Sequence, residues 1–264
     1  MKLEGCLEGR SAFVCGSTQG IGRACAETLA KLGAGVTLCA RNETALAMVR
    51  DGLSTAHGQT HHMVTADFSD WQGVRDRAYR HVETHGPVHI LVNNTGGPPA
   101  GPAIEAHPEE FLAGFTQHLL CNQALVQAVV MGMREAEYGR IINVISTSVI
   151  TPIRGLGVSN TIRGAVGNWA RTLAAELGPF GITVNNILPG FTATARLKSL
   201  FRGRAEREQS TPEEVERHVT AQIPARRLGT AEEIANVAGF LASPLASYVN
   251  GVNLPVDGGR IAAQ

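Results

Sequence analysis

Short runs of β-branched and other apolar residues alternate with longer amphipathic stretches along the whole chain. That alternation predicts βαβ units wound around a parallel sheet. Seven strands are expected, at residues 12–15, 36–40, 61–66, 90–93, 140–146, 183–188 and 252–256. Several are nearly continuous apolar runs, such as Ile90-Leu91-Val92, which suits strands covered on both faces. Capping boxes predict helix starts at Ser69 with Gln72, Thr211 with Glu214 and Thr230 with Glu233, while Pro108 and Pro212 fit first helical turns. No linker or low-complexity tract intervenes, so residues 1–264 read as one domain. The stretch 193–227 departs from the alternation, mixing charged residues with few apolar ones, and reads either as a lid over a site or as a surface excursion.

Composition narrows the class. A chain of 264 residues, 44% hydrophobic, can bury one substantial core. With 23 Lys+Arg against 23 Asp+Glu it has no basic footprint for nucleic acid, and no apolar run approaches the roughly 18 residues of a membrane span. The start, Met1-Lys2-Leu3-Glu4-Gly5, lacks signal-peptide character, so a cytoplasmic protein is expected, with Asn42 and Asn93 unglycosylated despite their N-x-T sequences. Five widely spaced cysteines (Cys6, Cys15, Cys25, Cys39, Cys121) with no C-x-x-C argue against a disulfide framework or a zinc site and read as reduced core fillers.

The first strand runs into Gly16-Ser17-Thr18-Gln19-Gly20-Ile21-Gly22, and a helical pattern over 23–32 follows at once. Glycines at a strand-to-helix turn let the backbone approach a pyrophosphate, which then faces free N–H groups and the positive end of the helix dipole. This context favours nucleotide binding over a plain tight turn. Arg41-Asn42 follows the second strand, where an adenosine ribose would lie; an acidic residue there would suit a 2′-hydroxyl, whereas arginine suits a 2′-phosphate. NADP(H) is therefore favoured over NAD(H), the alternative being a surface arginine at a strand end.

With these residues in view the chain resembles the short-chain dehydrogenase/reductases over nearly its whole length, and the 3-oxoacyl-carrier-protein reductases within them. The glycine turn has the family's G-x-x-x-G-x-G spacing, and Asn93-Asn94-Thr95-Gly96 stands at its N-N-A-G. The resemblance implies that Asp67, with Phe68 beside it, meets the adenine, that Asn94, Thr95 and Gly96 line the cofactor, and that Pro189, Gly190, Thr192 and Thr194 hold the carboxamide. The tail from Ile223 through Arg227-Leu228-Gly229 to Asp257-Gly258-Gly259 is similar as well. Also implied are a Rossmann fold of the α/β class, a seven-stranded parallel sheet in the order 3-2-1-4-5-6-7 with helices on both faces, and a homotetramer or homodimer.

The family's chemistry rests on an Asn, a Ser, a Tyr and a Lys, and three of the four are replaced here. Gly139 to Ser146 matches the strand ending in the family's serine, so Ser146 is kept; Ser159 stands at the tyrosine position, Arg163 at the lysine and His118 at the helix asparagine. No other Y-x-x-x-K exists, since Tyr79, Tyr138 and Tyr248 all lack Lys at +4. A serine hydroxyl is shorter and far less acidic than a phenol, and loss of a general acid typically costs about 10²–10⁴ in rate. Arg163 shares a helix face with Ser159 and remains able to bind ribose hydroxyls. His118 is expected either to feed a proton through Ser146 and Ser159, its imidazole titrating near neutrality, or merely to hydrogen-bond within the helix packing, the reading favoured here.

Other signals weigh less. His81 and His85 lie at i and i+4 but lack a third ligand, so they read as a solvated helix face and no metal is expected; His57, His61 and His62 read as surface residues. Arg202, Arg204 and Arg207 are interleaved with Glu206 and Glu208, which suits a salt-bridged face as well as an anionic substrate arm. The expectation is an NADP(H)-preferring oxidoreductase acting on a carbonyl/alcohol pair, with a small-molecule substrate that is acyl-linked or free and an altered tetrad of His118, Ser146, Ser159 and Arg163. The alternative is a catalytically weak or inactive nucleotide-binding protein acting as sensor, regulator or assembly partner.

Overall fold

A computed structural model describes residues 4–263. Seven strands, β1 (Ser11–Cys15), β2 (Gly35–Ala40), β3 (His62–Thr65), β4 (Ile90–Asn93), β5 (Gly139–Val144), β6 (Ile182–Pro189) and β7 (Asn253–Val256), form one sheet in the order β3-β2-β1-β4-β5-β6-β7. Every pairing is parallel. Alternate residues of the central strands feed two cores. Ala12, Val14, Val36, Leu38, Ile90, Val92, Ile142 and Val144 pack on one face, against α1 (Gly20–Lys31), α2 (Glu43–Asp51) and α9 (Ala231–Ala242). Phe13, Cys15, Cys39, Leu91 and Ile141 pack on the other, against α3 (Trp71–His85), α5 (Cys121–Glu135) and α6 (Gly157–Leu177). Burial on both faces is what the continuous apolar runs demand.

Ahead of α5, α4 (Pro108–Phe115) runs into a wider π turn at Thr116–Leu120. Past β6, α7 (Ala195–Glu208) and α8 (Pro212–Ala221) pack through Leu197, Phe201, Ala205, Val215, Val219 and Ile223. The stretch 193–227 is thus better supplied with apolar residues than its charge suggests: they recur at helical spacing and form a small core of their own.

Several local expectations need correction. Asp70, not Ser69, caps α3: its side chain accepts from the backbone N–H of Gly73 at 2.9 Å. β5 stops at Val144, two residues short of Ser146, because Ser146 instead caps a short 3₁₀ turn by accepting from Ser148 N–H at 3.0 Å. α1 begins at Gly20, so the glycine turn itself supplies the first helical turn. His81 is not on a solvated face; it is buried and bonded to Thr37 Oγ1 at 3.0 Å, because α3 lays it over β2, while His85 stays exposed. His57, His61 and His62 are half-buried rather than surface residues: the His61 ring accepts from Val36 N–H at 3.0 Å, and His62 stacks on His85.

Candidate active site

A cleft of about 900 Å³ opens at the carboxyl ends of the strands, where the strand order reverses between β1 and β4. At its centre Gly16 and Gly20 take φ of +58° and +54°, a left-handed conformation that side chains disfavour. A Cβ on Gly22 would lie 2.2 Å from Gly16 O, so α1 can approach the turn this closely only with glycine there. Asn94 braces the loop by donating from Nδ2 to the carbonyls of Cys15 at 3.2 Å and Gly16 at 3.4 Å. The Gln19 side chain does not cap α1, and no acidic residue occupies its first turn, so the amide end is open toward the cleft. These features fit a dinucleotide pyrophosphate.

One end of the cleft is lined by Arg41, Asn42, Asp67 and Phe68. Asp67 accepts from Ser69 N–H at 2.9 Å, and that bond, aided by the positive charge of Arg41, holds its carboxyl below the usual range. The other end brings Ser146 and Ser159 together with Thr95, Gly96, Pro189, Gly190, Thr192 and Thr194. Behind this end runs a buried ladder of asparagines. Asn93 Nδ2 donates to Asn143 Oδ1 at 2.8 Å, Asn143 Nδ2 to Asn186 Oδ1 at 2.9 Å, and Asn186 Nδ2 to Asn253 Oδ1 at 2.8 Å. It follows the strand register and ties four strands together beneath the site.

Arg163 sits one helical turn after Ser159, is only 8% exposed, and donates from Nη1 to Val144 O at 3.0 Å. Burial and the neighbouring charge of Arg196 push its pKa down to about 10. Arg196, at the second position of α7, bends back and donates to Pro98 O, and burial lowers its pKa too. A Cβ on Gly97 would lie 3.3 Å from Arg196 Nη2 and 3.8 Å from Arg163 Nη2, so the two guanidiniums converge on one spot. Sequence reasoning missed Arg196. Its signal was a cation in the first turn of a helix, where the dipole disfavours it. Arg202, Arg204 and Arg207 do not line the cleft, and Arg204 pairs with Glu208 at 2.8 Å.

Two expected site residues lie behind the wall. Gly22 acts through packing, and His118, on the π turn, is 1% exposed. The His118 Nδ1 is 2.6 Å from Thr95 Oγ1, while Nε2 has no partner among the described residues. Burial first, then the charges of Arg163 and Arg196, pull its pKa down to about 2. The ring is thus enclosed behind the cleft wall with its Nδ1 on Thr95, and burial disfavours the charged form that the proton-feeding alternative needs. Among the described residues no cluster of three or more His, Cys, Asp or Glu could hold a metal ion, and no helix is long and apolar enough to cross a membrane.

A glycine turn feeding α1 at the switch point of a parallel sheet defines a dinucleotide-binding α/β protein, and comparisons narrow this. A family profile described as enoyl-(acyl carrier protein) reductase matches residues 16–260. The NADPH-dependent reductase BacG of Bacillus subtilis is 31% identical, covering 96% of this chain and 98% of the relative. The 3-oxoacyl-[acyl-carrier-protein] reductase FabG of Pseudomonas aeruginosa is 35% identical, with 96% and 98% covered. Among solved structures, L-sorbose reductase from Gluconobacter frateurii, complexed with NADPH and L-sorbose, superposes with a TM-score of 0.90 at 29% identity, covering 99% of each chain. The chain belongs to the short-chain dehydrogenase/reductase family and is an oxidoreductase.

Proposed function

We propose that this protein is an NADP(H)-preferring reductase of a carbonyl/alcohol pair that works with Ser146, Ser159 and Arg163 in place of the family's usual set. The observation that carries this reading is the single cleft joining the glycine turn, Arg41 and the two serine hydroxyls. Gly16, Thr18, Gln19, Gly20 and Ile21 cradle the pyrophosphate, Arg41 meets the 2′-phosphate, and Asp67 and Phe68 hold the adenine. Asn94, Thr95, Gly96, Pro189, Gly190, Thr192 and Thr194 seat the nicotinamide end. When bound, the nicotinamide supplies or accepts hydride. Ser146 and Ser159 donate hydrogen bonds to the substrate oxygen, and Arg163 stabilises the negative charge developing there. Neither serine has the acidity of a phenol, so the proton comes from solvent at a cost of about 10²–10⁴ in rate.

The α7–α8 segment covers the substrate end as a lid. A homodimer or homotetramer is the assembly that the family resemblance implies, and the free cysteines suit the cytoplasm. The non-catalytic reading is not favoured, since the full-length relatives carry the names of reductases and dehydrogenases. Titration with NADPH and NADH, read by cofactor fluorescence, tests the proposal. Micromolar binding that prefers NADPH, with the preference reversed by Arg41→Glu, is expected; binding of neither refutes it. The double change Ser159→Tyr with Arg163→Lys should raise turnover of simple ketones, and no gain would show that the altered set is not a disabled form of the usual one.

A further inference from the structure

The reaction end of the cleft carries more positive charge than a reductase of neutral ketones needs. Arg163 and Arg196 aim their guanidiniums at the same point beside Gly97, and no ion pair links either to a carboxylate among the described residues. Among the described residues the one acid lining the cleft, Asp67, stands at the far end within reach of the charge of Arg41. Each guanidinium donates one hydrogen bond to a backbone carbonyl, Val144 O for Arg163 and Pro98 O for Arg196. Both line the cleft with donors to spare, since a guanidinium has five. The start of α7 adds to the effect: Thr194, Ala195 and Arg196 all line the cleft, and the first turn holds no acid to offset the dipole.

Two guanidiniums held this close repel each other, the buried Arg163 also loses hydration, and neither cost is offset by a carboxylate among the described residues. A carboxylate between them would accept from both with charge-assisted bonds, in the geometry that arginine favours. We propose that Arg163 and Arg196 form an anion subsite, so that the substrate is a carbonyl compound bearing a carboxylate, its charged group seated beside Gly97 and its reacting oxygen at Ser146 and Ser159. This rests on the reductase reading for the reacting group, while the subsite itself rests on the two arginines. It assigns Arg196 a specificity role: it anchors the substrate's anion, and Arg163 serves both the anion and the reaction centre.

The test is calorimetric titration of the protein–NADP⁺ complex at fixed ionic strength with sodium 4-oxopentanoate, its methyl ester, acetate, butyrate and benzoate. The keto acid should bind at least about tenfold more tightly than the ester, the expected order for a charge-assisted pair. Arg196→Gln, a change at an exposed helix position, should reduce that gap to about threefold or less while leaving the ester's affinity and the far-ultraviolet spectrum unchanged. Binding of none of the carboxylates below about 10 mM, or a gap that survives in Arg196→Gln, would overturn the proposal. A protein that binds the carboxylates without NADP⁺ and never binds the cofactor would refute the reductase reading and leave the anion subsite standing.

Discussion

The asparagine ladder beneath the site makes a measurable claim about stability. Asn143 is fully buried and central: it accepts from Asn93 at 2.8 Å and donates to Asn186 at 2.9 Å. In Asn143→Ala both bonds vanish. Asn93, at 2% exposure, already has an unpartnered Oδ1 and would lose the partner of its Nδ2 as well. Asn186, at 1%, keeps its bond to Asn253 but loses the donor to its Oδ1. Each of the two orphaned buried groups costs about 1–3 kcal/mol, and the small cavity adds about 1 kcal/mol, giving roughly 3–7 kcal/mol in total. That is a large share of the 5–15 kcal/mol typical of a folded domain. Urea unfolding at fixed protein concentration, followed by circular dichroism and by the fluorescence of Trp71 and Trp169, measures it. A loss below about 1 kcal/mol would refute the reasoning, because it would mean the neighbouring amides find other partners at no cost. Asn143→Leu separates the contributions: it fills the cavity but leaves the same orphans, so it should be nearly as damaging as alanine.

His118 gives a second test, through linkage. Its folded pKa of about 2 lies below its unfolded value, so the unfolded chain takes up the proton first, and stability is lost as pH falls through 6.5. Relative to His118→Gln, the wild type should lose about 1.4 kcal/mol per pH unit between pH 5.5 and 4, and equal slopes in paired denaturation curves would contradict the buried neutral assignment. The rate–pH profile should also show no ionisation from this residue between pH 5 and 8, a point checked by comparing the same pair under saturating NADPH. At the glycine turn, Gly22→Ala would set a Cβ 2.2 Å from Gly16 O and force α1 away from the turn. NADPH affinity should fall at least about tenfold, and affinity unchanged in a fluorescence titration would show that the turn yields without consequence.

Much of this architecture is local information. The run Ile90-Leu91-Val92 is apolar because both faces of β4 are covered, and the glycine turn needs only its own backbone to be recognised. What sequence could not show is set by register and packing. Asn93, Asn143, Asn186 and Asn253 look unrelated along the chain, and only parallel pairing lines them up. Arg196 lies in a charged stretch whose direction is fixed by the cap at Thr194 and by the apolar contacts of α7 with α8. His118 reads as a possible acid until the π turn shows which way its ring is carried. Asp70 outcompetes Ser69 as a cap by a shift of one residue, a choice between neighbouring side chains of similar capping strength.

The π turn at Thr116–Leu120 also bears on how this chain tolerates changes in length. The turn joins α4 to α5 without a break and holds one residue more per turn than an α-helix, so one residue lost within it can be absorbed by a return to α geometry, whereas one residue added has no such outlet and rotates one helix against the other by about 100°. A gain of one residue would carry Gly114 away from α6, where a Cβ would already lie 3.1 Å from Ile162 Cγ1, and press a bulkier side chain there. An insertion of four residues nearly restores the phase but shifts α4 by about 6 Å along its axis. A single-codon deletion here should thus be less damaging than a single-codon insertion.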